Sequence, residues 1–322
     1  MTTCHTWSRR PAIRQYTPVG HEYLVPLRQV ADLLDVQITR YLGGRANKHW
    51  LVTSGTRPFV LRAYQRRPIG DIGYELRVLH RLDAMGWPTP VAVTDPVQAG
   101  DRTWCLFRWL PGTSTVVTDE QAADRERGRL LARLHHDLAA LADLEQRPGC
   151  RPAEQIVADP ELIDGLRDYE RLFPHEARVM RWHADRAREC FDHLNLRASP
   201  LMVIHGDFVN HNLLFVAESL SGILDFEGTH LNHRASEFAL AWRGRHDAVI
   251  HGYEEIRPLD ELDRALLAPT LWSWVFLGVA DDIRRMTDGE LTPHRFEWQT
   301  RILLRRSPLM GEHGTPYRDP LF

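Results

Sequence analysis

The sequence predicts an α+β protein with two lobes, a small N-terminal lobe built on an antiparallel sheet with one helix and a larger, mostly helical C-terminal lobe. Up to about residue 110, short β-branched and aromatic runs alternate with turn residues, as in a strand meander. Pro111 and Gly112 then break the chain, and from Asp119 onward apolar residues recur at helical spacing. With 322 residues, 43% of them hydrophobic, the chain can bury a core in each lobe. We therefore assign residues 1–110 to the N-terminal lobe and residues 111–322 to the C-terminal lobe.

The N-terminal elements follow from changes of hydrophobic period. Helical spacing over Glu22–Asp35 predicts a first helix. The runs VQITRYL, HWLVTS and FVLRAY, separated by the turns GGRANK and GTRP, predict three antiparallel strands. A helix is predicted after Asp71, ending at Gly86, and the runs VAV and TWCLFRWL predict two further strands.

The C-terminal elements are mostly helical. Helices are predicted over DEQAADRERGRLLARLHHDLAAL, around residues 160–172 and 176–195, and near residues 233–243 and 259–285. Three brief strands interrupt them, over Leu201–Ile204, Asn212–Val216 and Ile223–Phe226. The tail RSPLMGEHGTPYRDPLF is rich in turn residues and is predicted to be irregular.

Composition restricts the class of protein. No run approaches 18 apolar residues and the N-terminal segment MTTCHTWSRRPAIRQY is polar, so we expect a cytoplasmic protein with no membrane partner. The four cysteines are widely spaced, which favours reduced thiols over disulfides or a zinc site. No basic tract interleaved with aromatic residues indicates a nucleic-acid partner. With no heptad run, both a monomer and a homodimer remain open.

Charge is distributed unevenly along the chain. Residues 1–110 have 15 basic and 8 acidic side chains, a net charge of +7, whereas the remaining residues have a net charge of −10. This distribution is compatible with an anionic ligand in the first part and a neutral or cationic ligand in the second, and equally with charge varying along solvated surfaces. Lys48 is the only lysine among 40 basic residues.

Polar side chains concentrate at strand ends between Val203 and Gly228. One predicted strand ends at Ile204 and is followed by His-Gly-Asp, with Asn212 five residues after Asp207. A second predicted strand brings Asp225 to its end. Carboxylate and amide oxygens of this kind suit Mg²⁺ together with substrate phosphates. Asp207 fits another role, that of accepting a proton from an attacking hydroxyl.

The segment HGDFVNHN resembles the catalytic loop H-G-D-x-x-x-x-N of the kinase-like phosphotransferases, and LDFE resembles their metal-binding D-F-G element. His-Gly-Asp in place of His-Arg-Asp is similar to the aminoglycoside phosphotransferase group, which also contains type II homoserine kinases and choline kinases. The upstream helix GRLLARLHHDL and the spacing of 18 residues from Asp207 to Asp225 agree with that group. The resemblance covers about residues 36–245 and implies a protein-kinase-like bilobal fold.

The resemblance implies a role for each matching residue of the loop. Asp207 would be the catalytic base, Asn212 and Asp225 would bind Mg²⁺, and His205 would brace the loop. Glu227 stands where protein kinases have the glycine of D-F-G, and either a supporting role at the metal or a simple turn position is open for it. No role is assigned to His211.

The resemblance also implies an ATP or GTP site in the N-terminal lobe. Gly43 and Gly44 lie at a strand-to-strand turn where bare backbone can approach phosphate. The run CLFRWLPG fits the last strand leading into the hinge, where backbone groups from about Phe107 to Trp109 would bind the base.

A cation and its carboxylate partner are expected in the same lobe. The run FVLRAY places Arg62 where kinases carry a lysine, and an arginine can form a forked contact with two phosphate oxygens. Glu75, 13 residues further on and on the predicted helix, is the candidate ion-pair partner.

The sequence therefore predicts a small-molecule kinase that transfers a γ-phosphoryl group to a hydroxyl of its acceptor. Acidic late helices mildly favour a cationic acceptor, and an aminoglycoside or another basic antibiotic or secondary metabolite is placed slightly ahead of a homoserine- or choline-type metabolite. Trp272 and Trp274 either contribute to an aromatic cage for a quaternary amine or belong to the core of an amphipathic helix. A catalytically inactive kinase fold that serves as a binding module is the alternative from another class, favoured only by Arg62.

Overall fold

The structure, a computed structural model, describes residues 20–114, 119–289 and 293–318. Their contacts define two compact units, which we call the first unit (residues 20–67 and 92–109) and the second unit (residues 68–91 and 110–318). The predicted lobes place the segment 68–91 with the N-terminal residues, whereas its contacts are with the second unit. Predictions for residues 1–19 and 319–322 lie outside the described residues.

The secondary structure agrees with the predicted α+β class. The helices are α1 (His21–Leu33), α2 (Ile72–Ala84), α3 (Glu120–Leu138), α4 (Ala153–Val157), α5 (Pro160–Glu170), α6 (Pro174–His193), α7 (Phe238–Ala241), α8 (Asp247–Glu254), α9 (Glu261–Thr287) and α10 (Pro293–Leu303). The strands are β1 (Gln37–Gly43), β2 (Lys48–Ser54), β3 (Arg57–Ala63), β4 (Val97–Ala99), β5 (Arg102–Arg108), β6 (Leu201–Ile204), β7 (Leu213–Val216), β8 (Ser219–Ile223) and β9 (His230–His233).

The first unit is an antiparallel sheet of strand order β1-β2-β3-β5-β4 packed against α1. Tyr23 of α1 contacts Trp50 and Trp104, whose ring centroids lie 5.3 Å apart, and these three buried rings form the centre of its core. The predicted strand VAV is wrong, because Ala92 makes only an isolated bridge to Phe107 and the edge strand is β4. Prolines on both sides of this run restrict it to that bridge.

The second unit is organised around α9. This helix packs against α4, α5, α6, α7 and α10, and Trp272, Phe276 and Val279 on it are fully buried. Asp260 and Asp263 form a capping box at its start. Among the described residues α9 is the one helix long and apolar enough to cross a membrane, yet 67% of its most apolar window is buried within the protein.

Several elements of the second unit differ from the sequence prediction. The helices α8 and α10 and the strand β9 were not predicted, and the predicted helix over residues 233–243 is a 3₁₀ turn followed by the short α7. The strand predicted over Ile223–Phe226 is instead β8, which ends at Ile223. Asp225 adopts a left-handed conformation with φ 67° and ψ 55°, and a residue in this conformation cannot continue a strand.

Helices α3 and α8 cross at a pair of glycines. A Cβ atom on Gly128 would overlap the backbone carbonyl of Val249, and one on Gly252 would overlap the carbonyl of Arg125. The two backbones are therefore in direct contact, and this contact sets the position of α3 relative to α8.

We expect Gly128→Ala to destabilise the protein by about 1–3 kcal/mol, because the new methyl group meets backbone that cannot rotate away. Denaturant unfolding measures the change in the free energy of unfolding. Gly73→Ala in α2 is the control, since its Cβ would approach nothing closer than a side-chain oxygen at 3.2 Å, and it should be neutral or stabilising. Equal effects of the two substitutions would contradict the close crossing.

Candidate active site

The loop after β6 brings Asp207 and Asn212 together. Asn212 ends a 3₁₀ turn directly before β7, and its Nδ2 donates hydrogen bonds to the backbone carbonyl of Asp207 (2.9 Å) and to its carboxylate Oδ2 (3.1 Å). Asn212 is buried, whereas Asp207 is partly exposed. The amide therefore fixes the orientation of the carboxylate and leaves Oδ1 of Asp207 free of this contact.

The β7–β8 hairpin places Asp225 near Asn212. Leu213 pairs with Ile223 at the end of the hairpin, and the amide of Leu224 donates to the carbonyl of Asn212 at 2.7 Å. Asp225 is the next residue, and its left-handed backbone turns the chain into the 3₁₀ turn over Phe226–Gly228. The two predicted metal-binding residues thus leave the same end of one hairpin.

The chemistry of these donors fits Mg²⁺. Because Asn212 uses its side-chain nitrogen toward Asp207, its Oδ1 is the atom available to a cation, and no described residue donates to it. Asp225 adds a carboxylate. Amide and carboxylate oxygens are hard ligands of the kind that Mg²⁺ takes alongside phosphate oxygens.

His205 connects the two strand ends. Its Nδ1 accepts a hydrogen bond from the amide of Asp207 at 3.1 Å, so the proton is on Nε2, which donates to the carbonyl of Leu224 at 3.0 Å. The fully buried ring also packs against Phe226, with ring centroids 4.3 Å apart. Gly206, with φ 83°, allows this approach because a Cβ there would overlap the carbonyl of Gly228.

Glu237, which the sequence analysis did not identify, holds the start of the loop through hydrogen bonds to its backbone. Its two carboxylate oxygens accept the backbone amides of His205 (2.6 Å) and Gly206 (3.0 Å). His135 donates from Nε2 to the same carboxylate at 3.3 Å and accepts from the hydroxyl of Tyr253 through Nδ1 at 3.0 Å. Burial opposes ionisation of Glu237, but the hydrogen bonds from His135 and from the backbone amide of His205 keep its pKa below its usual value. A fully buried carboxylate thus anchors the turn that contains Asp207.

Arg127 supports the loop from α3. Its Nη1 donates to the carbonyl of Phe208 at 3.1 Å and its Nη2 to Asp124 at 2.7 Å. Asp124 also accepts from His246 Nδ1 at 2.8 Å, so the cluster of Glu120, Asp124 and His246, whose ligand atoms all lie within 4.8 Å of one another, is already engaged by hydrogen bonds.

Arg147 joins the start of α2 to the turn after Asp225. It is buried and donates to the carbonyls of Asp71 (2.9 Å), Glu227 (2.7 Å) and Thr229 (2.9 Å). Its guanidinium also lies 3.8 Å from the carboxylate of the buried Glu75. Glu75 therefore has an ion-pair partner that was not predicted, and its pairing with Arg62 of the first unit stays a prediction.

The predicted nucleotide-binding residues of the first unit lie on β1, β3 and β5 or directly beyond them. Gly43 and Gly44 have positive φ values of 100° and 127°. Lys48 closes their turn, since its Nζ donates to the carbonyls of Gly44 (2.8 Å) and Arg45 (2.9 Å). Arg62 is buried in β3 with its guanidinium 4.4 Å from the ring centroid of Tyr64.

The other two predicted nucleotide-binding residues lie at the end of β5 and directly after it. Phe107 is buried near the end of β5, and Trp109 follows the strand directly.

A cavity of about 580 Å³ opens beside Asp207 within the second unit. Its polar lining comprises Arg151, Asp159, Glu161, Asp207, Glu227, His230 and Arg284. Asp159 forms an ion pair with Arg151 at 2.8 Å, and burial lowers the pKa of His230, so this histidine adds no positive charge at neutral pH. Four carboxylates and two guanidinium groups give the cavity an excess of negative charge.

The tryptophans and histidines of the sequence analysis lie in different environments. Trp272 is fully buried and Trp274 lines the cavity, so the described structure does not support a cage that includes both. His211 is exposed, with no hydrogen-bond partner among the described residues.

Comparison with known proteins agrees with this arrangement. A family model described as the phosphotransferase enzyme family matches residues 37–274. The homoserine kinase of Azorhizobium caulinodans is 30% identical over 246 residues, which cover 67% of this chain and 70% of that protein. The homoserine kinase of Xanthobacter autotrophicus is 30% identical over 257 residues, covering 70% and 73%.

Solved structures show the same fold. A microcompartment-associated aminopropanol kinase superposes with a TM-score of 0.64 at 18% identity, over 86% of this chain and 94% of that one. An aminoglycoside phosphotransferase in a ternary complex with ADP and hygromycin B gives a TM-score of 0.61 at 15% identity, over 86% and 96%. The chain belongs to the phosphotransferase enzyme family, and the predicted kinase-like fold and small-molecule kinase class are confirmed.

We expect Glu237→Gln to lower the free energy of unfolding by about 2–4 kcal/mol, because glutamine offers one acceptor oxygen where two backbone amides need one each. Denaturant unfolding at pH 7 measures the loss. Glu218→Gln, at an exposed turn position, is the matched control and should change stability by less than about 0.5 kcal/mol. A Glu237→Gln protein as stable as the control would show that the loop does not depend on this carboxylate.

We expect stability to fall as the pH drops below about 6.5, because burial lowers the pKa of His135, His183 and His230 in the folded protein. The unfolded chain then binds more protons, and each histidine costs up to about 1.4 kcal/mol per pH unit. For His183, whose pKa is lowered to about 4, the loss extends from pH 6.5 to about 4.

Unfolding free energies measured from pH 7 to pH 5 check this slope. His183→Gln should reduce it by about 1.4 kcal/mol per pH unit, whereas His211→Gln, at an exposed position, should leave it unchanged. An unaltered slope in His183→Gln would contradict burial of a neutral imidazole.

Proposed function

We propose that the protein transfers the γ-phosphoryl group of ATP or GTP to a hydroxyl of a small molecule, with Asp207 as the base. The observation that carries this proposal is the Asp207 carboxylate, which is held by Asn212 at the wall of a cavity of about 580 Å³. Cavities of about 300–1,000 Å³ are typical of small-molecule sites.

The chain's own groups supply positioning and proton transfer. The hydrogen bond from Asn212 Nδ2 to Oδ2 directs the other carboxylate oxygen of Asp207 toward an acceptor hydroxyl, whose proton it accepts as the oxygen attacks phosphorus. His205, Glu237 and Arg127 prevent the loop from moving away. When bound, Mg²⁺ would be held by Asn212 and Asp225 and would neutralise charge on the nucleotide phosphates.

Arg243 adds a positive charge beside the base. It has a left-handed backbone with φ 56°. Burial lowers the pKa of its guanidinium, and the negative charge of Asp207 opposes that shift. A cation at this position would stabilise negative charge that develops near the reacting hydroxyl.

For the nucleotide, we propose the residues that the sequence analysis identified. Solved relatives of the fold contain ADP in complexes with hygromycin B and with spectinomycin, which supports nucleotide use by this chain. The proposed nucleotide-binding residues are Gly43, Gly44, Arg62, Glu75, Phe107 and Trp109.

For the acceptor, we propose a cationic compound such as a basic antibiotic or another secondary metabolite. The excess of carboxylates in the cavity supports a positively charged acceptor, and the carboxylate of Glu161 has no partner among the described residues. A homoserine-type acceptor is the second candidate, favoured by curated relatives named homoserine kinase.

We expect Asp207→Asn to reduce phosphotransfer by at least about 100-fold, because an amide cannot accept the hydroxyl proton. A screen of ATP and GTP consumption with Mg²⁺ across aminoglycosides, basic peptide antibiotics, homoserine and choline finds the acceptor, and the variant is then tested with it. Asp192→Asn, at an exposed position, is the control and should retain full activity.

Nucleotide with Mg²⁺ should raise the melting temperature of both variants and of the unaltered protein. Full activity in Asp207→Asn would overturn the assignment of the base. No melting shift at millimolar nucleotide and no consumption with any acceptor would favour the inactive binding module.

A further inference from the structure

Apolar side chains converge on the cavity that contains Asp207. They come from the segment before α2, from α5, from the end of α7 and above all from α9. The principal members are Ile69, Leu162, Leu240, Trp274, Leu277 and Ile283.

Two of these side chains are exposed. Ile69 is 47% exposed and Leu277 is 46% exposed. Large apolar side chains gathered at a concave site commonly mark a surface that becomes buried on binding. A ligand in the cavity would bury both side chains.

The α9 members form a continuous ridge. Trp274, Leu277, Ala280 and Ile283 follow one another at intervals of three residues and all line the cavity, so they form a row that winds about 180° around the helix from Trp274 to Ile283. At about 1.5 Å per residue the ridge is about 13 Å long. It is thus longer than a four-carbon amino acid.

Neighbouring groups hold both ends of this ridge in place. The ring of Trp274 packs edge-to-face against Trp298 of α10, with centroids 6.0 Å apart. At the other end, α5 approaches Ile283 at Gly165, where a Cβ would overlap the isoleucine side chain. A ridge fixed in this way presents a preformed apolar surface, so an acceptor would bind without first ordering it.

We propose that the acceptor has an apolar body, an alkyl chain or a ring, that lies along this α9 ridge while its hydroxyl meets Asp207. The inference rests on the proposed function and makes its substrate class more specific: an amphipathic amino alcohol rather than a polyhydroxylated sugar or a short polar amino acid. The carboxylates of the cavity would then bind the protonated amine of the acceptor, and burial of the apolar ridge would contribute to the affinity.

A homologous series of N-alkyl-2-aminoethanols, from methyl to octyl, tests the proposal. Binding is measured by calorimetry on the full-length Asp207→Asn protein with Mg²⁺ and a non-hydrolysable ATP analogue, so that affinity is read without turnover. We expect Kd to fall about fourfold for each added methylene, equivalent to about 0.8 kcal/mol, until the ridge is covered. The heat capacity of binding should become more negative along the series.

Two leucine variants, each also carrying Asp207→Asn, localise the effect. Leu277→Gln should reduce the gain per methylene to less than about twofold, because the chain then meets an amide instead of apolar surface. Leu172→Gln replaces a leucine that is 57% exposed and does not line the cavity, and it should retain the fourfold gain.

The outcomes separate this inference from the proposed function. A Kd that is constant along the series, or a series that does not bind at all, overturns the apolar subsite. An equal loss in both leucine variants also overturns it. Chain-length-dependent binding without any phosphorylated product from the unaltered protein leaves the subsite standing and overturns phosphotransfer to this class of acceptor.

Discussion

The bond between the Glu237 carboxylate and the amides of His205 and Gly206 is the interaction on which the candidate site depends. A turn with a positive-φ glycine directs its amides inward, where no strand can pair with them. An ionised carboxylate satisfies both at once, and His135 and Tyr253 in turn support that carboxylate. The cost of burying this charge is offset only while every member of the network is present.

Arg147 holds the backbone that follows Asp225, as Glu237 holds the backbone that precedes Asp207. Its buried guanidinium is surrounded by carbonyl oxygens from the start of α2 and from the turn after Asp225, with the Glu75 carboxylate nearby. Because one planar guanidinium makes these contacts, a displacement of α2 would also displace the turn that contains Glu227. Helix position and the geometry around Asp225 are therefore linked within the second unit.

The sequence was sufficient to predict features that depend on neighbouring residues, namely the motif and most of the long helices and strands. The motif spacing indicated Asp207, Asn212 and Asp225 as candidate site residues, and hydrophobic period found α1, α2, α9 and the strands β1, β2, β3 and β5. It did not identify the partners that hold the motif, since Glu237 lies 31 residues from Gly206 and Arg127 lies 81 residues from Phe208, and no local pattern marks them. The end of β8 was misplaced for a related reason: the left-handed Asp225 is stabilised by its surroundings and not by propensity.

Helix α9 has one side in the core of the second unit and another that lines the cavity. Trp272 and Trp274 are two residues apart, about 200° around the helix, so one is enclosed in the core while the other faces the cavity. The buried side of α9 holds α4, α5 and α6 together and tolerates little change in volume. Leu277, which is 46% exposed and lines the cavity, can vary without altering that packing. A substitution at Leu277 would therefore alter the cavity and leave in place the turn that contains Asp207, which Glu237 holds from the 3₁₀ turn before α7.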